Sequence, residues 1–234
     1  MYLLFFSIHF VTLTKAILMA VKKIGIIGSG QVAQVLAAGF VKHGYQVMIG
    51  SRDSKKLQNW KKRSNADVRL GDFKETAAFG ELIVLSVKGS VAEKLVSNIA
   101  RELDGKPVID TTNPISEAPP EHGVLKFFTD LNDSLMEKLQ RAAPGGKFVK
   151  SFSCVGNARM VNPEFSSGKP TMFICGNSEQ AKQEVKVILD LFGWEVSDLG
   201  RAIAARAIEP LCMLWCIPGF LHNEWTHALK LLHT

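Results

Sequence analysis

Lys22-Lys23-Ile24-Gly25-Ile26-Ile27-Gly28-Ser29-Gly30-Gln31-Val32-Ala33 is the stretch on which the fold of this 234-residue chain turns. The β-branched run Ile24, Ile26, Ile27 reads as a strand, and Gly28 to Ala33 follow in the spacing G-x-G-x-x-A. Val32, Val35, Leu36, Gly39 and Phe40 then share one face at helical spacing, with Gly44 placed as a C-terminal cap. In a dinucleotide site each small residue has a reason: Gly28 permits the tight turn, Gly30 lets backbone approach a pyrophosphate, and Ala33 lets the helix pack on the strand. The first N–H groups of that helix have no partner within it, and its dipole favours an anion. A chance glycine turn is the competing reading, and the strand and helix on either side disfavour it.

The choice of dinucleotide is read from the end of the second strand, Gln46 to Gly50. A site for NAD places an acid there, about 20 residues past the glycines, to bond the ribose hydroxyls. This chain has Gly50-Ser51-Arg52, with Lys55 and Lys56 following. An acid would repel a 2′-phosphate, whereas a hydroxyl and a forked guanidinium would hold one, so NADP(H) is the expected cofactor. Asp53 reads as the N-cap of the next helix.

Further along, Val68 to Leu70 is a short strand and Asp72 opens a helix to Phe79. Leu82-Ile83-Val84-Leu85-Ser86-Val87 is a continuous apolar run, expected for a parallel strand covered on both faces. Lys88-Gly89-Ser90 leads into a helix, Pro107 to Asp110 is strand five, and Thr111-Thr112-Asn113-Pro114 leaves it on the edge where such sheets bind ligands. Asn113 has two readings, a contact to the nicotinamide end or a plain turn initiator. Ser134 to Ala142 is a helix, Lys147 to Phe152 strand six, Thr171 to Cys175 and Trp194 to Val196 further strands, with a helix from Glu179 to Phe192 between them. Arg201 to Cys216 reads as one long apolar helix and Gly219 onward as a last helical piece. The expectation is an α/β protein with a Rossmann-type, doubly wound, mostly parallel sheet. An NADP-binding domain would span 19–152, and a small C-terminal α/β element, 153–234, would close over it.

Composition narrows the function. With 47% hydrophobic and 21% charged residues and a scattered formal charge of +6, the chain is of globular type without a long basic tract. That disfavours nucleic acid and suits an anionic small ligand. Cysteines 154, 175, 212 and 216 lack C-x-x-C spacing and neighbouring histidine ligands, so they read as buried thiols in a reducing cytoplasm, with no metal site. Residues 1–18 are apolar but have no basic lead and are interrupted by His9 and Lys15. They fit neither a membrane span nor a signal peptide, and are expected to be an upstream extension before a natural start at Met19.

Gly25-Ile26-Ile27-Gly28-Ser29-Gly30, Ile49-Gly50-Ser51-Arg52-Asp53, Asp110-Thr111-Thr112-Asn113-Pro114, Lys150 to Gly156 and Leu211 to Trp215, in this order, resemble the NADPH-dependent reductases of coenzyme F420. The related cytosolic reductase domain of six-transmembrane metalloreductases is similar too. The resemblance spans nearly all of Val21 to Cys216. It implies that Ser29, Gly30, Gln31 and Val32 line the pyrophosphate after the turn at Gly28, that Ser51, Arg52 and Lys56 hold the 2′-phosphate, and that Ser86, Lys88, Asn113 and Pro114 lie beside the nicotinamide. The chain departs from the family pattern at Lys88, where a proline is frequent. It departs again at Lys150-Ser151-Phe152-Ser153, where Lys-Ala-Phe-Asn is common, and both departures fall on the acceptor side.

The expected activity is hydride transfer between NADPH and a flavin-like acceptor, coenzyme F420 or a flavin. Ser153, Cys154, Val155, Gly156 and Met213 would wall a shallow slot for its ring. Hydride transfer to such a ring needs positioning more than acid–base chemistry, and no histidine stands out as a general acid, so no catalytic residue is assigned. A ferric or flavin reductase and a silent NADPH sensor are the alternatives. A hydroxyacid dehydrogenase or pyrroline-carboxylate reductase would need an all-helical second half. The apolar helix near the end, with Leu199, Ile203, Ile208, Leu211, Leu214 and Trp215, reads equally as a homodimer interface or as a helix buried in one subunit.

Overall fold

The computed structural model describes residues 22–64 and 66–232, so the upstream extension expected at 1–18 lies outside the described residues. In chain order β1 (Lys23–Ile27), α1 (Gln31–Lys42), β2 (Gln46–Gly50), α2 (Ser54–Ser64), β3 (Val68–Gly71), α3 (Phe73–Phe79), β4 (Leu82–Leu85), α4 (Gly89–Asn98), α5 (Ala100–Leu103), β5 (Pro107–Asp110), α6 (Leu135–Ala142) and β6 (Lys147–Lys150) build a parallel sheet with helical crossovers. The C-terminal third, expected to close over the sheet, adds strands to its edge. β7 (Thr171–Gly176) pairs antiparallel with β6, and β8 (Glu195–Asp198) follows parallel after α7 (Glu179–Leu191). The strand order is β3-β2-β1-β4-β5-β6-β7-β8 in one eight-stranded sheet.

Alternation of side chains explains the apolar runs. Leu82 and Val84 of β4 join one core cluster, and Ile83 and Leu85 the cluster on the opposite face. Each such buried aliphatic side chain contributes about 1.5–3 kcal/mol, so a strand covered on both sides needs every position apolar. Asp72 caps α3 in a capping box: its carboxylate accepts from the Glu75 N–H at 2.8 Å, and Glu75 accepts from the Asp72 N–H at 2.9 Å. Ser178 caps α7 by accepting from the Ala181 N–H.

The helix expected at Arg201–Cys216 starts with a 3-10 turn at Ala202–Ala204. It continues through α8 (Ala205–Ile208) and α9 (Pro210–His222), past Pro218, so no separate helix begins at Gly219. Asn223, at φ 57°, stops it in the left-handed conformation. The chain then runs back extended: the Trp215 indole donates to the His227 carbonyl at 2.9 Å, and the Thr171 N–H to the Leu229 carbonyl at 2.9 Å. Strand six ends at Lys150, short of the expected Phe152, because Phe152 itself turns at φ 60°.

The α6 entry carries a second capping box, Ser134 with Glu137, and the Arg206 guanidinium grips the Glu137 carboxylate with two bonds of 2.9 and 2.8 Å. Burial alone would raise the Glu137 pKa, but the bonds from Arg206 and Ser134 outweigh it and hold the carboxyl down at about 2, from 4.5. A carboxyl depressed on folding stabilises fully above its unfolded pKa, and that stabilisation fades as pH falls through the folded value. The Tm difference between the wild type and Glu137→Gln is therefore expected to be largest above about pH 5 and to shrink steadily towards pH 2, as thermal melts across that range would show. A difference independent of pH would mean that the pair is not ionised in the fold.

Candidate functional site

In this strand order β1 lies between β2 and β4, and the direction of winding reverses between β1 and β4. A crevice opens outside the carboxyl ends of the strands at such a point. The loops after β1, β2, β4, β5 and β6 all leave from this one edge, because these strands are parallel. The expected cofactor residues are thereby brought to one side of the sheet.

The two glycines of the fingerprint have different reasons to be glycine. Gly28 sits at φ +130°, and a Cβ there would lie 1.9 Å from the Ser86 carbonyl oxygen, so its bareness serves the β1–β4 contact. Gly30 has ordinary extended backbone as the N-cap of α1, and a Cβ there would meet no protein atom within 4 Å. Nothing inside the described fold requires glycine at 30, and the space it keeps clear is outside the protein, at the start of a helix with no acid in its first turn. A helix start left bare in this way suits an anion. Ser29 is fixed beside it, its carbonyl accepting from the Gln34 side chain at 3.0 Å; Gln31 and Val32 open the helix.

Ser51 stands at the end of β2, its backbone N–H bonded to the Gly71 carbonyl and its Oγ accepting from the Asp53 N–H at 3.1 Å. Arg52 is exposed beside it. The Lys56 side chain lies outside the described ones. Ser86 is buried where β4 leaves the sheet, and Lys88 caps α4 with its ammonium 3.5 Å from the exposed Glu117 carboxylate. Asn113 donates from Nδ2 to the Ser153 carbonyl at 2.8 Å, which ties the loop after β5 to the loop after β6. Its Oδ1 is buried without a hydrogen-bond partner among the described residues, as are Ser151 Oγ and Ser153 Oγ. The loops after β5 and β6 thus carry an acceptor and two hydroxyls whose hydrogen-bonding capacity the described residues leave unused. Pro114 is buried next to it.

The expected acceptor slot is differently built. Cys154 and Val155 are buried, Val155 within the main core cluster, so their side chains are packed core in this structure and not an open wall. Burial pushes the Cys154 thiol up to about 12, which keeps it protonated and inert. Gly156 is small because Trp215 needs the room: a Cβ there would lie 2.7 Å from the indole ring. A bulky residue at 156 would unseat that tryptophan before it blocked a ring. Met213 is half-buried on α9, whereas Cys212, Trp215 and Gly219 are the buried residues of that helix.

The main surprise is ionic. Lys150, at the end of β6, is wholly buried, with Nζ 2.6 Å from the Asp110 carboxylate, 2.9 Å from that of Glu209 and 2.8 Å from the Thr112 carbonyl oxygen. Asp110 is its register partner on β5 and accepts from both the N–H and hydroxyl of Thr112. Glu209 accepts from the first two N–H groups of α6, Leu135 and Met136, each at 2.9 Å. Burial alone would depress the Lys150 pKa, but the two carboxylates outweigh it and hold it above the ordinary lysine value. The excess negative charge faces a helix N-terminus, which compensates it. The charged ends of β5 and β6, Asp110 and Lys150, were the trace of this cluster in the sequence, while Glu209 comes from a segment far along the chain.

Residues 23–114 match the family described as NADP oxidoreductase, coenzyme F420-dependent. The matched segment is less than half of the chain. It holds the whole glycine fingerprint, the Ser51-Arg52 turn and Asn113-Pro114. A putative F420-dependent NADP reductase from Arthrobacter sp. FB24 superposes with a TM-score of 0.84 at 28% identity, covering 92% of this chain and 100% of that one. The F420-dependent NADP reductase of Methanocaldococcus jannaschii is 26% identical over 206 residues, 82% of this chain and 90% of its own length. Metalloreductase STEAP3 of Rattus norvegicus is 30% identical over 204 residues, 85% of this chain, but the chain spans only 39% of that relative. One helix among the described residues, Ala202–His222, is long and apolar enough by length and composition to cross a membrane, and a third of it is buried within the fold. Glu209 ties it to Lys150, and Arg206 to Glu137.

Proposed function

We propose that the protein is an NADP(H)-dependent oxidoreductase that passes hydride to a flavin-like acceptor, coenzyme F420 first among them. The single observation that carries the cofactor part is Gly30: a residue kept bare with no protein atom near its missing side chain, at a helix start on the crevice edge. When bound, NADPH supplies a hydride and leaves as NADP+, while the acceptor ring takes the hydride with a proton from solvent. Gly30 and the first N–H groups of α1 receive the pyrophosphate, Ser51 and Arg52 the 2′-phosphate, with Lys56 beside them. Asn113 and the Ser153 loop hold the nicotinamide end, with Ser86, Lys88 and Pro114 around it. F420 is favoured over ferric chelates because the F420 reductase relative matches this chain over nearly its whole length. We place the enzyme in the cytoplasm, with no nucleic-acid or membrane partner.

Arg52→Ala tests the cofactor choice: losing a charge-assisted contact is expected to cost NADPH about ten- to a hundredfold in affinity. NADH should be affected by less than about threefold. Fluorescence titration with both cofactors measures this, and equal weakening of the two would remove the 2′-phosphate role. Stopped-flow oxidation of bound NADPH by F420, FMN and a ferric chelate identifies the acceptor. Acceleration by none of them would favour the sensor reading.

We also propose a homodimer through the outer face of the terminal helix, where Ile203, Leu214, Phe220 and Leu221 are exposed while Ile208 and Trp215 are turned into the subunit. Mass measurement at micromolar concentration should give twice 25.7 kDa. Leu214→Glu should shift it to the monomer, and a wild-type monomer would defeat the assignment.

A further inference from the structure

The buried cluster at the ends of β5 and β6 takes no proton or hydride in the proposed reaction. Nor is stability a sufficient reason for it, because buried ion pairs are commonly no better than well-packed apolar residues of the same shape. What charges at fixed distances do supply is geometry. All of the ammonium hydrogens of Lys150 are committed, to Asp110, Glu209 and the Thr112 carbonyl. Asp110 holds the N–H of the same Thr112, so that residue is gripped at both its amide groups. The next residue is Asn113. Its side-chain amide is anchored on the Ser153 carbonyl, and its own carbonyl lies so close to Gly89 that a Cβ there would be 2.0 Å away. Asn113 therefore cannot shift without either Lys150 or the start of α4 moving with it. Through Glu209 the same lysine is joined to the start of α9 and to the first turn of α6.

We propose that the Asp110–Lys150–Glu209 cluster is a positioning device that clamps the Thr112–Asn113 loop against the 151–156 loop and so sets the distance for hydride transfer, with Lys150 as its hub. This rests on reading the crevice as the NADPH site. Lys150 is a positioning residue and touches neither reactant. The groups facing it are the two carboxylates, the Thr112 carbonyl and the Cys175 thiol, which burial pushes up to about 12 and keeps neutral. Reacting carbons must come within about 3–3.5 Å, and a misplacement of about 1 Å costs roughly a hundredfold in rate.

The test replaces the cluster with near-isosteric neutral side chains, Asp110→Asn, Lys150→Met and Glu209→Gln together. Glu209→Gln alone serves as the milder variant should the triple fold poorly. Three quantities are read: amide hydrogen exchange over residues 111–113 without cofactor, NADPH affinity by fluorescence, and single-turnover oxidation of C4-deuterated and unlabelled NADPH by F420 and FMN. The clamp predicts loop exchange at least about tenfold faster in a folded variant. It also predicts NADPH affinity within about threefold, and a hydride-transfer step about a hundredfold slower and still sensitive to deuterium. Unchanged loop exchange, an unchanged rate, or a rate loss matched by an equal loss of NADPH affinity would each overturn it, the last marking a merely structural role. A wild-type protein that binds NADPH but reduces neither acceptor defeats the functional reading instead. The cofactor-free exchange experiment then decides the clamp by itself.

Discussion

Valine at position 30 is expected to weaken NADPH binding at least about a hundredfold, close to 3 kcal/mol, in a chain that still folds. Gly30 has φ −73° and ψ −178°, which any residue adopts, and a Cβ there meets no protein atom within 4 Å. The cost to the fold is that of a poor N-cap, about 1 kcal/mol or less. The added methyl groups would instead fill the space over the first N–H groups of α1, where the pyrophosphate must come close. The control is Gly28→Ala. There the Cβ would be driven to within 1.9 Å of the Ser86 carbonyl at a backbone φ of +130°, so the strand contact itself must give way. A stability loss on the order of 3 kcal/mol is expected, with cofactor binding falling only as the folded fraction falls. Thermal melts and NADPH titrations of the two variants separate these effects. Tight NADPH binding by Gly30→Val would mean that the pyrophosphate does not lie on this helix.

Lys150→Met is expected to be the most destabilising single substitution in the site, by about 3–5 kcal/mol, because it leaves two buried carboxylates without their counter-ion. For a domain of this size that corresponds to a Tm lowered by about 6–20 °C. The loss should be largely reversed when Asp110→Asn and Glu209→Gln are added, since neutral amides pay far less for burial than unpaired charges. That non-additivity, measured as a mutant cycle by denaturant unfolding, is the signature of a coupled cluster. Losses that simply add would show three independent contacts. The same α6 N-terminus that receives Glu209 makes α6 the element most exposed to the change.

Much of the molecule was legible from local pattern. β-Branched and continuous apolar runs marked the strands, 3.6-residue spacing the first helix, the G-x-G-x-x-A spacing the turn between β1 and α1, and Asp72 and Ser134 the starts of their helices, because these signals involve residues a few positions apart. The sequence also determined the cofactor expectation at Ser51 and Arg52, since an absent acid is visible without coordinates. Tertiary structure decided the rest. That β7 runs antiparallel to β6 and extends the sheet depends on which edge was left open. That Cys154 and Val155 are core depends on the turn at Phe152, and that Gly156 is small depends on a tryptophan from α9. Gly28 and Gly30 look alike in sequence, and only the atoms around each missing Cβ show that the fold requires glycine at 28 and does not require it at 30. The Asp110–Lys150–Glu209 cluster was beyond reach for the same reason: a charge is tolerated in a core only by partners brought from distant parts of the chain, and local periodicity carries no record of which distant residues will meet.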